Sequence, residues 1–355
     1  DVILIMGLLT AFFMGIVALV QDDIKRIIAY STISQLGYMT VALGASFYSF
    51  AIFHLLTHAF FKALLFLCAG SIILKCHHEQ NINKMGGLKL LMPITFFTFT
   101  IAGLSLIGFP GMSGFFSKDL IIDIFKYSDN TVVYYMLVVS IIVTTLYTSK
   151  IFFKVFFGEN KLKIQPSNSL EHDKTLLGPL IILAIPSAII GWSIFDTLVF
   201  SNFFKDSITD SETINSFYQE HIFNSGIFFL YSFKGLSFFA LSIGLFISYL
   251  LYYKKTKIFD EILNKFVTIK KILHSEYGFN ELSNFFIPRY IRKISDFLWR
   301  KSDIKIIDNI FINGSANIVS SLSSKIRLLQ TGYIYHYAFT MIIGLLFFLI
   351  IFYDF

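Results

Sequence analysis

The sequence is poor in charge and in the motifs that build soluble catalytic sites. Only 15% of its 355 residues are charged, whereas soluble proteins carry roughly 25%. Its two cysteines, Cys68 and Cys76, have the spacing of neither a metal site nor a disulfide framework. It has no glycine-rich phosphate loop, CxxC pair, haem motif or nucleophile elbow. We therefore expect no cofactor chemistry or ATP hydrolysis here, and predict a protein that moves something rather than transforming it.

Long hydrophobic runs are what the sequence has instead. Each is close to or above the length of about 20 residues that crosses a ~30 Å hydrocarbon layer as a helix. The runs are 2–20, 27–47, 51–74, 92–125, 132–157, 176–195, 236–253 and 333–353. The predicted fold is an all-α polytopic membrane protein with about eight transmembrane helices. Because the chain starts at Asp1 inside an apolar run, without a signal peptide, we expect a piece of a longer membrane protein.

The fourth run is too long for one straight span, because a helix over residues 92–125 would measure ~51 Å. Its middle reads GFPGMSG at residues 108–114. Proline removes a backbone donor there and glycine loosens the turn. We predict a helix broken near Gly108–Gly114 that faces polar groups inside the protein.

Lysine and arginine predict that the broken helix crosses the membrane once. With one crossing, the loops after the first, third, fifth and seventh spans share a side that holds most of the basic residues. Two crossings would place Lys25 and Lys163 on opposite sides and remove this asymmetry.

Residues 254–330 hold 14 Lys and Arg against 7 Asp and Glu, with no run long enough to span. Apolar residues recur there at helical spacing: Ile287, Ile291, Ile294, Leu298, Ile304, Ile307, Phe311, Val319, Leu322, Ile326 and Leu329. We predict a long amphipathic lateral helix in the membrane plane, interrupted near Gly278, Pro288 and Gly314. The alternative is a solvated linker with ordinary surface helices.

The third span carries three ionisable residues on one face. His54, His58 and Lys62 are spaced by four, with Thr57 beside them. An ionisable group at the centre of a membrane costs at least ~2.5 kcal/mol, so this row indicates a proton or ion path. The alternatives are packing histidines, or metal ligation, which the absence of a carboxylate in the same span disfavours.

A second charged group follows the predicted break. Lys118, Asp119 and Asp123 lie in otherwise apolar sequence. A buried lysine beside carboxylates can take up or release a proton as its neighbours change charge. The alternatives are an ion pair that only fixes packing, or one that reaches water at the membrane edge. The coincidence with the helix break favours the proton path.

The second span contributes a polar side that could hold ordered water between the charged groups. It includes Tyr30, Ser31, Ser34, Gln35 and Tyr38. Such residues also join neighbouring helices. We therefore treat Tyr30, Ser34 and Gln35, together with Thr57 and Asp123, as possible supporting residues of the path.

Four strings make the sequence similar to a known family. They are VQDDIKRIIAYSTISQLGY (20–38), HLLTHAFFKALLF (54–66), HHEQNINKMGGL (77–88) and GFFSKD (114–119). They closely resemble the antiporter-like subunit 5 family of respiratory complex I, the proton-pumping NADH:ubiquinone oxidoreductase. The resemblance covers roughly residues 2–157, and beyond them it depends on architecture.

The resemblance implies two inverted five-helix repeats, extra helices and a lateral helix. It assigns residues 1–157 to the second repeat, 158–253 to two further transmembrane helices with connecting loops, 254–330 to the lateral helix and 331–355 to a last transmembrane helix. The first repeat is absent from this sequence. The expected partner is therefore a missing N-terminal half, on a separate chain or on another part of the same one.

The resemblance also implies roles and partners. His54, His58 and Lys62 would belong to the central hydrated axis, and Lys118 with Asp119 to the end facing the positive side of the membrane. The other partners would be membrane lipids and complex I membrane-arm subunits, including antiporter-like neighbours along the lateral helix, and no nucleic acid. Flavin, iron-sulfur clusters and quinone are expected on other subunits, and no cofactor on this chain. The chain would be a subunit of an H+-translocating reductase without a redox site of its own.

Three rival interpretations remain open from the sequence. A subunit of a multi-subunit cation/proton antiporter or of a membrane-bound hydrogenase would share the repeat and the buried lysine. A non-pumping scaffold would only hold its neighbours through the lateral helix. The 43 phenylalanines, with abundant Ile, Lys and Asn, suggest an AT-rich genome. We therefore expect the mitochondrial inner membrane rather than a bacterial plasma membrane, with the lateral helix on the matrix or cytoplasmic side.

Overall fold

A computed structural model describes most of the chain, as helices joined by turns. The described residues are 1–126, 130–162, 171, 174–199, 203–204, 207–208, 224–254, 267–328 and 330–353. Within them the only β-type pairing is an isolated bridge between Asp23 and Asn81. The chain divides into two units, Asp1–Tyr277 and Gly278–Phe355, and each is described by itself.

The first unit is a helical bundle, which confirms the predicted fold class. Its helices are α1 (Val2–Val20), α2 (Ile24–Gly44), α3 (Tyr48–Lys75), α4 (Pro93–Ile107), α5 (Ser113–Lys126), α6 (Thr131–Phe156), α7 (Lys174–Val199), α8 (Ser225–Ser232), α9 (Leu236–Ser248) and α10 (Val267–His274). A π-helical stretch, Tyr249–Tyr253, extends α9. Six described helices are long and apolar enough to cross a membrane: α1, α3, α6, α7, extended α9 and Ile334–Tyr353. Of the predicted spans, α2 is more polar and the fourth is divided between α4 and α5.

The break predicted in the fourth run is present. Gly108 ends α4 in the left-handed conformation with φ of 80°, where a side chain would be strained. The start of α5 is held close to α4, because the Gly114 amide donates to Ser105 Oγ at 2.8 Å. At the far end of α5, the Phe125 ring lies 5.4 Å from that of Phe47 in the turn between α2 and α3. The broken helix therefore runs from one end of the bundle to the other once, as the charge distribution predicts.

The break is also attached to α7. Ser113 Oγ donates to the Pro186 carbonyl at 3.2 Å and accepts from the Gly191 amide at 2.6 Å. A Cβ on Gly191 would lie 2.3 Å from the Ser113 carbonyl oxygen. Glycine therefore lets α7 approach the break closely enough for both hydrogen bonds.

The loops predicted to share the basic side meet at one end of the bundle. The Ile82 amide donates to the Asp22 carbonyl at 2.9 Å, which joins the loops after α1 and α3. Lys154 Nζ at the end of α6 donates to Asn83 Oδ1 at 2.6 Å. Lys150 Nζ pairs with Asp22 Oδ1 at 3.2 Å. Burial raises the pKa of Asp22, but Lys150 and a hydrogen bond with Asn83 outweigh burial and hold that pKa below its ordinary value.

Helices α1 and α2 pack at backbone contact through glycine. A Cβ on Gly37 would lie 2.4 Å from the Ala11 backbone nitrogen. We expect Gly37→Ala to force the helices apart, at a cost of about 1–3 kcal/mol. The measurement is the amount of the variant in membranes and its resistance to thermal aggregation. Gly70→Ala is the matched control, because nothing lies within 4 Å of its Cβ position. Equal losses in both variants would contradict this packing.

The second unit contains a long helix within the segment predicted to be lateral, and a helix at the last predicted span. Its segments are α11 (Phe279–Phe286), α12 (Arg292–Leu298), α13 (Gly314–Leu328) and α14 (Ile334–Tyr353), with π-helical stretches at Ile287–Ile291 and Trp299–Asn313. Gly278, with φ of 75°, precedes α11 and is a break as predicted. Residues 255–266 and 329 of the predicted lateral segment lie outside the described residues.

The interruptions predicted at Pro288 and Gly314 are wrong. Gly314 has ordinary helical dihedrals, φ −62° and ψ −46°. Pro288 lies at the start of a π-helical stretch whose flanking residues, Phe286 and Arg292, are also helical. Proline is tolerated there because the wider hydrogen-bond register accommodates its missing amide proton. The helix therefore continues through residues 279–328.

Candidate functional site: a buried row of ionisable side chains

The ionisable row of α3 points into the bundle. His54 is fully buried, and His58 and Lys62 are 5% and 4% exposed. The spacing of four residues aligns these side chains on the face of α3 that packs against α2 and α5. Burying three such groups is costly without partners, so the surrounding polar side chains decide what the row can do.

His54 of α3 forms hydrogen bonds with both α2 and α5. Its Nδ1 lies 2.9 Å from Ser117 Oγ of α5, and its Nε2 lies 3.3 Å from Gln35 Oε1 of α2. Ser117 Oγ also lies 2.6 Å from Thr57 Oγ1. His54 is therefore hydrogen-bonded on both ring nitrogens, which is the geometry a histidine needs to pass a proton from one side to the other.

Lys62 forms the end of the row toward the basic side. Its Nζ donates to Ser31 Oγ and, at 3.4 Å, to the Ile28 carbonyl. Both partners are neutral. Among the described residues, no carboxylate lies at ion-pair distance from this ammonium group. Such an arrangement suits a group that exchanges its proton.

His58 stands between these two residues. Its ring centre is 5.9 Å from that of His54 and 5.3 Å from that of Phe61, which it meets edge to face. Its Nε2 is buried with no hydrogen-bond partner among the described residues. A buried imidazole with one open nitrogen can accept a proton or an ordered water.

Lys118 forms the other end of the row, in the second turn of α5 beyond the break. It is fully buried, and its Nζ has no hydrogen-bond partner in the described part of the chain. That nitrogen lies over the face of the Tyr38 ring, 4.9 Å from its centre. A cation–π contact stabilises an ammonium group only modestly compared with a carboxylate.

The two aspartates of α5 differ in position. Asp119 is buried, and its Oδ1 lies 3.3 Å from where a Cβ on Gly108 would be, so the glycine of the break makes room for it. Asp123 is partly exposed and has Lys126 as a neighbouring charge. The structure therefore brings Asp119 to the break with Lys118, whereas Asp123 lies nearer the end of α5.

Only part of the predicted supporting group reaches the row. Gln35 and Thr57 contact His54 or its partner Ser117. Ser34 instead donates to the Ala11 carbonyl at 2.6 Å, and so joins α2 to α1. Tyr30 is half-buried beside Glu276.

Sequence reasoning missed Ser117 and Tyr147. Ser117 is buried between His54 and Thr57, and directly precedes Lys118 in the chain. Tyr147 of α6 is buried with its hydroxyl beside Ser31 and Gln35. The available signals were the adjacency of Ser117 to Lys118 and, for Tyr147, the regular spacing of polar residues along α6. Hydroxyl side chains are common in membrane helices, so neither signal stands out.

The arrangement places exchangeable protons in series between two buried lysines. Lys62 contacts Ser31, while His54 contacts Ser117, the residue before Lys118. The described residues contain no group of three or more His, Cys, Asp or Glu side chains that could hold a metal ion. Each of the side chains in this arrangement can donate or accept a proton.

Comparisons with known proteins agree with the resemblance of the four strings. A family model described as NADH:quinone oxidoreductase/Mrp antiporter, transmembrane, matches residues 1–146. NADH-quinone oxidoreductase subunit L of Neisseria meningitidis serogroup A is 40% identical, over 98% of this chain and 55% of that protein. NADH-ubiquinone oxidoreductase chain 5 of Phytophthora infestans is 40% identical, over 98% and 53%. The structure of the Mrp complex from Dietzia sp. DQ12-45-1b is similar with a TM-score of 0.49 and 22% identity, over 56% of this chain and 45% of that one.

The chain spans about half the length of the curated relatives it matches. The family resemblance inferred from the four strings is confirmed, because these relatives are antiporter-like subunits of NADH dehydrogenases. The chain is an integral, multi-pass membrane protein whose residues 1–146 match this family model. The expected preference for a mitochondrial over a bacterial membrane is not supported, since the relatives include bacterial proteins.

Proposed function

Because residues 1–146 carry the membrane domain of the NADH:quinone oxidoreductase/Mrp antiporter family, we propose that this chain is a proton-translocating membrane-arm subunit of a complex I-type enzyme. The observation that carries the proposal is the buried row from Lys62 through His54 and Ser117 to Lys118. Ionisable side chains are costly to bury inside a membrane protein, and where they occur they mark proton or ion paths.

The row is suited to stepwise proton transfer. Each lysine is buried without a carboxylate at ion-pair distance within the described residues. A small change in the charge near either lysine therefore shifts its proton equilibrium. We propose that charge movement in adjacent subunits drives the row, and that flavin, iron-sulfur clusters and quinone are bound by other subunits.

The partners we propose follow from what this chain contains. This chain spans about half the length of its relatives. We propose that a polypeptide corresponding to their other half completes the proton path. The long helix of residues 279–328 exposes an apolar series that includes Ile291 and Leu298. We propose that it braces neighbouring antiporter-like subunits. A cation/proton antiporter remains the second candidate, because the matched family includes Mrp antiporters.

The experiment that tests the function uses the complete complex in sealed membrane vesicles. Lys62→Met keeps most of the side-chain volume and removes the ammonium group. We expect NADH-driven acidification to fall strongly, and the double variant Lys62→Met, Lys118→Met to fall little further, since members of one relay fail together. Thr100→Val is the control, because its hydroxyl bonds only the Phe96 carbonyl of its own helix.

Two outcomes would count against the proposal. Additive losses in the double variant would show two independent packing sites rather than one path. Exchange of sodium for protons by a chain that copurifies with no NADH-oxidising, flavin-containing subunit would favour the antiporter.

A further inference from the structure

Helix α6 carries a row of hydroxyl side chains apart from the histidine row. Ser140, Thr144 and Tyr147 are spaced by four and three residues, so they lie on one face, and each is no more than 2% exposed. Helix α2 presents three buried polar side chains at similar spacing. They are Ser31, Gln35 and Tyr38.

The two faces meet in the middle of the bundle. The Tyr147 hydroxyl lies beside Ser31, Gln35 and Thr144. The Tyr38 hydroxyl lies beside Thr144 and Ser140, and donates to the Leu137 carbonyl at 3.3 Å. These six side chains therefore form one band between α2 and α6, which we call the hydroxyl band.

The hydroxyl band ends at the same two lysines as the histidine row. At one end Ser31 accepts a hydrogen bond from Lys62 Nζ. At the other end the Tyr38 ring lies under Lys118 Nζ. The band meets the histidine row at Gln35, which contacts His54. Ser31, Tyr147, Thr144 and Tyr38 nevertheless connect the two lysines without passing through His54 or His58.

The centre of the band holds two buried polar atoms that packing does not explain. Tyr147 Oη and Gln35 Nε2 have no hydrogen-bond partner among the described residues. A buried tyrosine hydroxyl ordinarily has a partner, and phenylalanine would fill the same space without the cost. Buried polar atoms of this kind usually bind ordered water. The geometry therefore indicates a place where water links Ser31 to Tyr147.

We propose that the hydroxyl band is a second proton route between Lys62 and Lys118, parallel to the histidine row, with Tyr147 as its central residue. This inference rests on the proposed function. In each step an oxygen accepts a proton on a lone pair and releases its own proton to the next oxygen. One N–H bond breaks at Lys62. Because Lys118 Nζ lies over the Tyr38 ring rather than at its hydroxyl, the last transfer passes from Tyr38 Oη through one ordered water at the buried Nζ. One N–H bond forms there on a neutral Lys118, and no electrons are exchanged. Rotation of the hydroxyl groups then restores the band.

The test compares Tyr147→Phe and His54→Ala, singly and together, in the complete complex in sealed vesicles. The readouts are protons pumped per NADH oxidised and the amount of assembled complex. We expect each single variant to lower pumping about twofold, because one of two routes remains, and the double variant to lower it at least about tenfold. Tyr135→Phe is the matched control, since it makes the same change at a residue of α6 that is 56% exposed.

Tyr38→Phe is the second variant, in case Tyr147→Phe assembles poorly. It removes the hydroxyl and keeps the ring under Lys118, and we expect the same twofold effect. If neither tyrosine variant lowered pumping below that of His54→Ala alone, the second route would be overturned. Normal pumping by Lys118→Met would instead overturn the proposed function, so the two failures are distinguishable.

Discussion

Lys118→Met is expected to remove most of the proton pumping that depends on this chain while leaving assembly largely intact. Methionine has a similar volume and removes only the titratable charge. Because Nζ has no hydrogen-bond partner among the described residues, the substitution leaves no donor or acceptor unpaired there. A loss of at least about tenfold in pumping rate is expected, a smaller effect than the ~100-fold or more that a general acid or base typically contributes.

The measurement is NADH-driven acidification together with NADH oxidation in vesicles that contain equal amounts of assembled complex. Lys154→Met is the control, because Lys154 lies at the end of α6, where it bonds Asn83 in the loop after α3. We expect it to pump normally. Wild-type electron transfer and membrane potential in assembled Lys118→Met would exclude Lys118 from the path.

Ile291→Asp with Leu298→Asp is expected to detach neighbouring membrane-arm subunits. Both residues line one surface groove of about 450 Å³ on the long helix, together with Ile294 and Trp299. If this face braces neighbours, two carboxylates would be buried there without partners, at a cost of several kcal/mol. Since every ~1.4 kcal/mol is tenfold in an equilibrium, we expect at least about a tenfold drop in the bound subunits.

The measurement is the subunit composition of the complex after purification in mild detergent. Asn309→Asp with Asn313→Asp is the control, since it adds the same charge to two exposed polar positions of the same helix. We expect that control to keep its neighbours. If both double variants retained all subunits, the groove would have no part in assembly.

The sequence predicted those features of the fold that depend on local chemistry. The break follows from Pro110 and the glycines around it, and the shared basic end follows from the distribution of lysine. Both are present, as the contacts of Gly114 and Asn83 demonstrate. The predicted interruptions at Pro288 and Gly314 failed because a π-helical register, which composition does not reveal, lets the helix continue.

The sequence indicated the ionisable residues of the candidate site and two neutral ones, Gln35 and Thr57, but not Ser117 or Tyr147. A lysine or histidine inside an apolar span is rare and costly, so His54, Lys62 and Lys118 stand out in the sequence. A hydroxyl in a membrane helix is ordinary, so Ser117 and Tyr147 do not. Ser34 and Gln35 are adjacent and equally polar, yet only Gln35 faces His54. Which of them faces the row depends on helix rotation, which packing decides.

The attachment of α7 to the break has a consequence for modularity. The family match ends at residue 146, and α7 begins at Lys174. Yet Ser113, five residues before Lys118, is bonded by the backbone of α7 at Pro186 and Gly191. The matched domain therefore depends on α7, which lies outside it, for the shape of the break. If residues 1–146 of this chain replaced the matching part of a relative, Ser113 would lie against the relative's own helix instead of α7. A chimera that preserves the break must therefore include α7 as well.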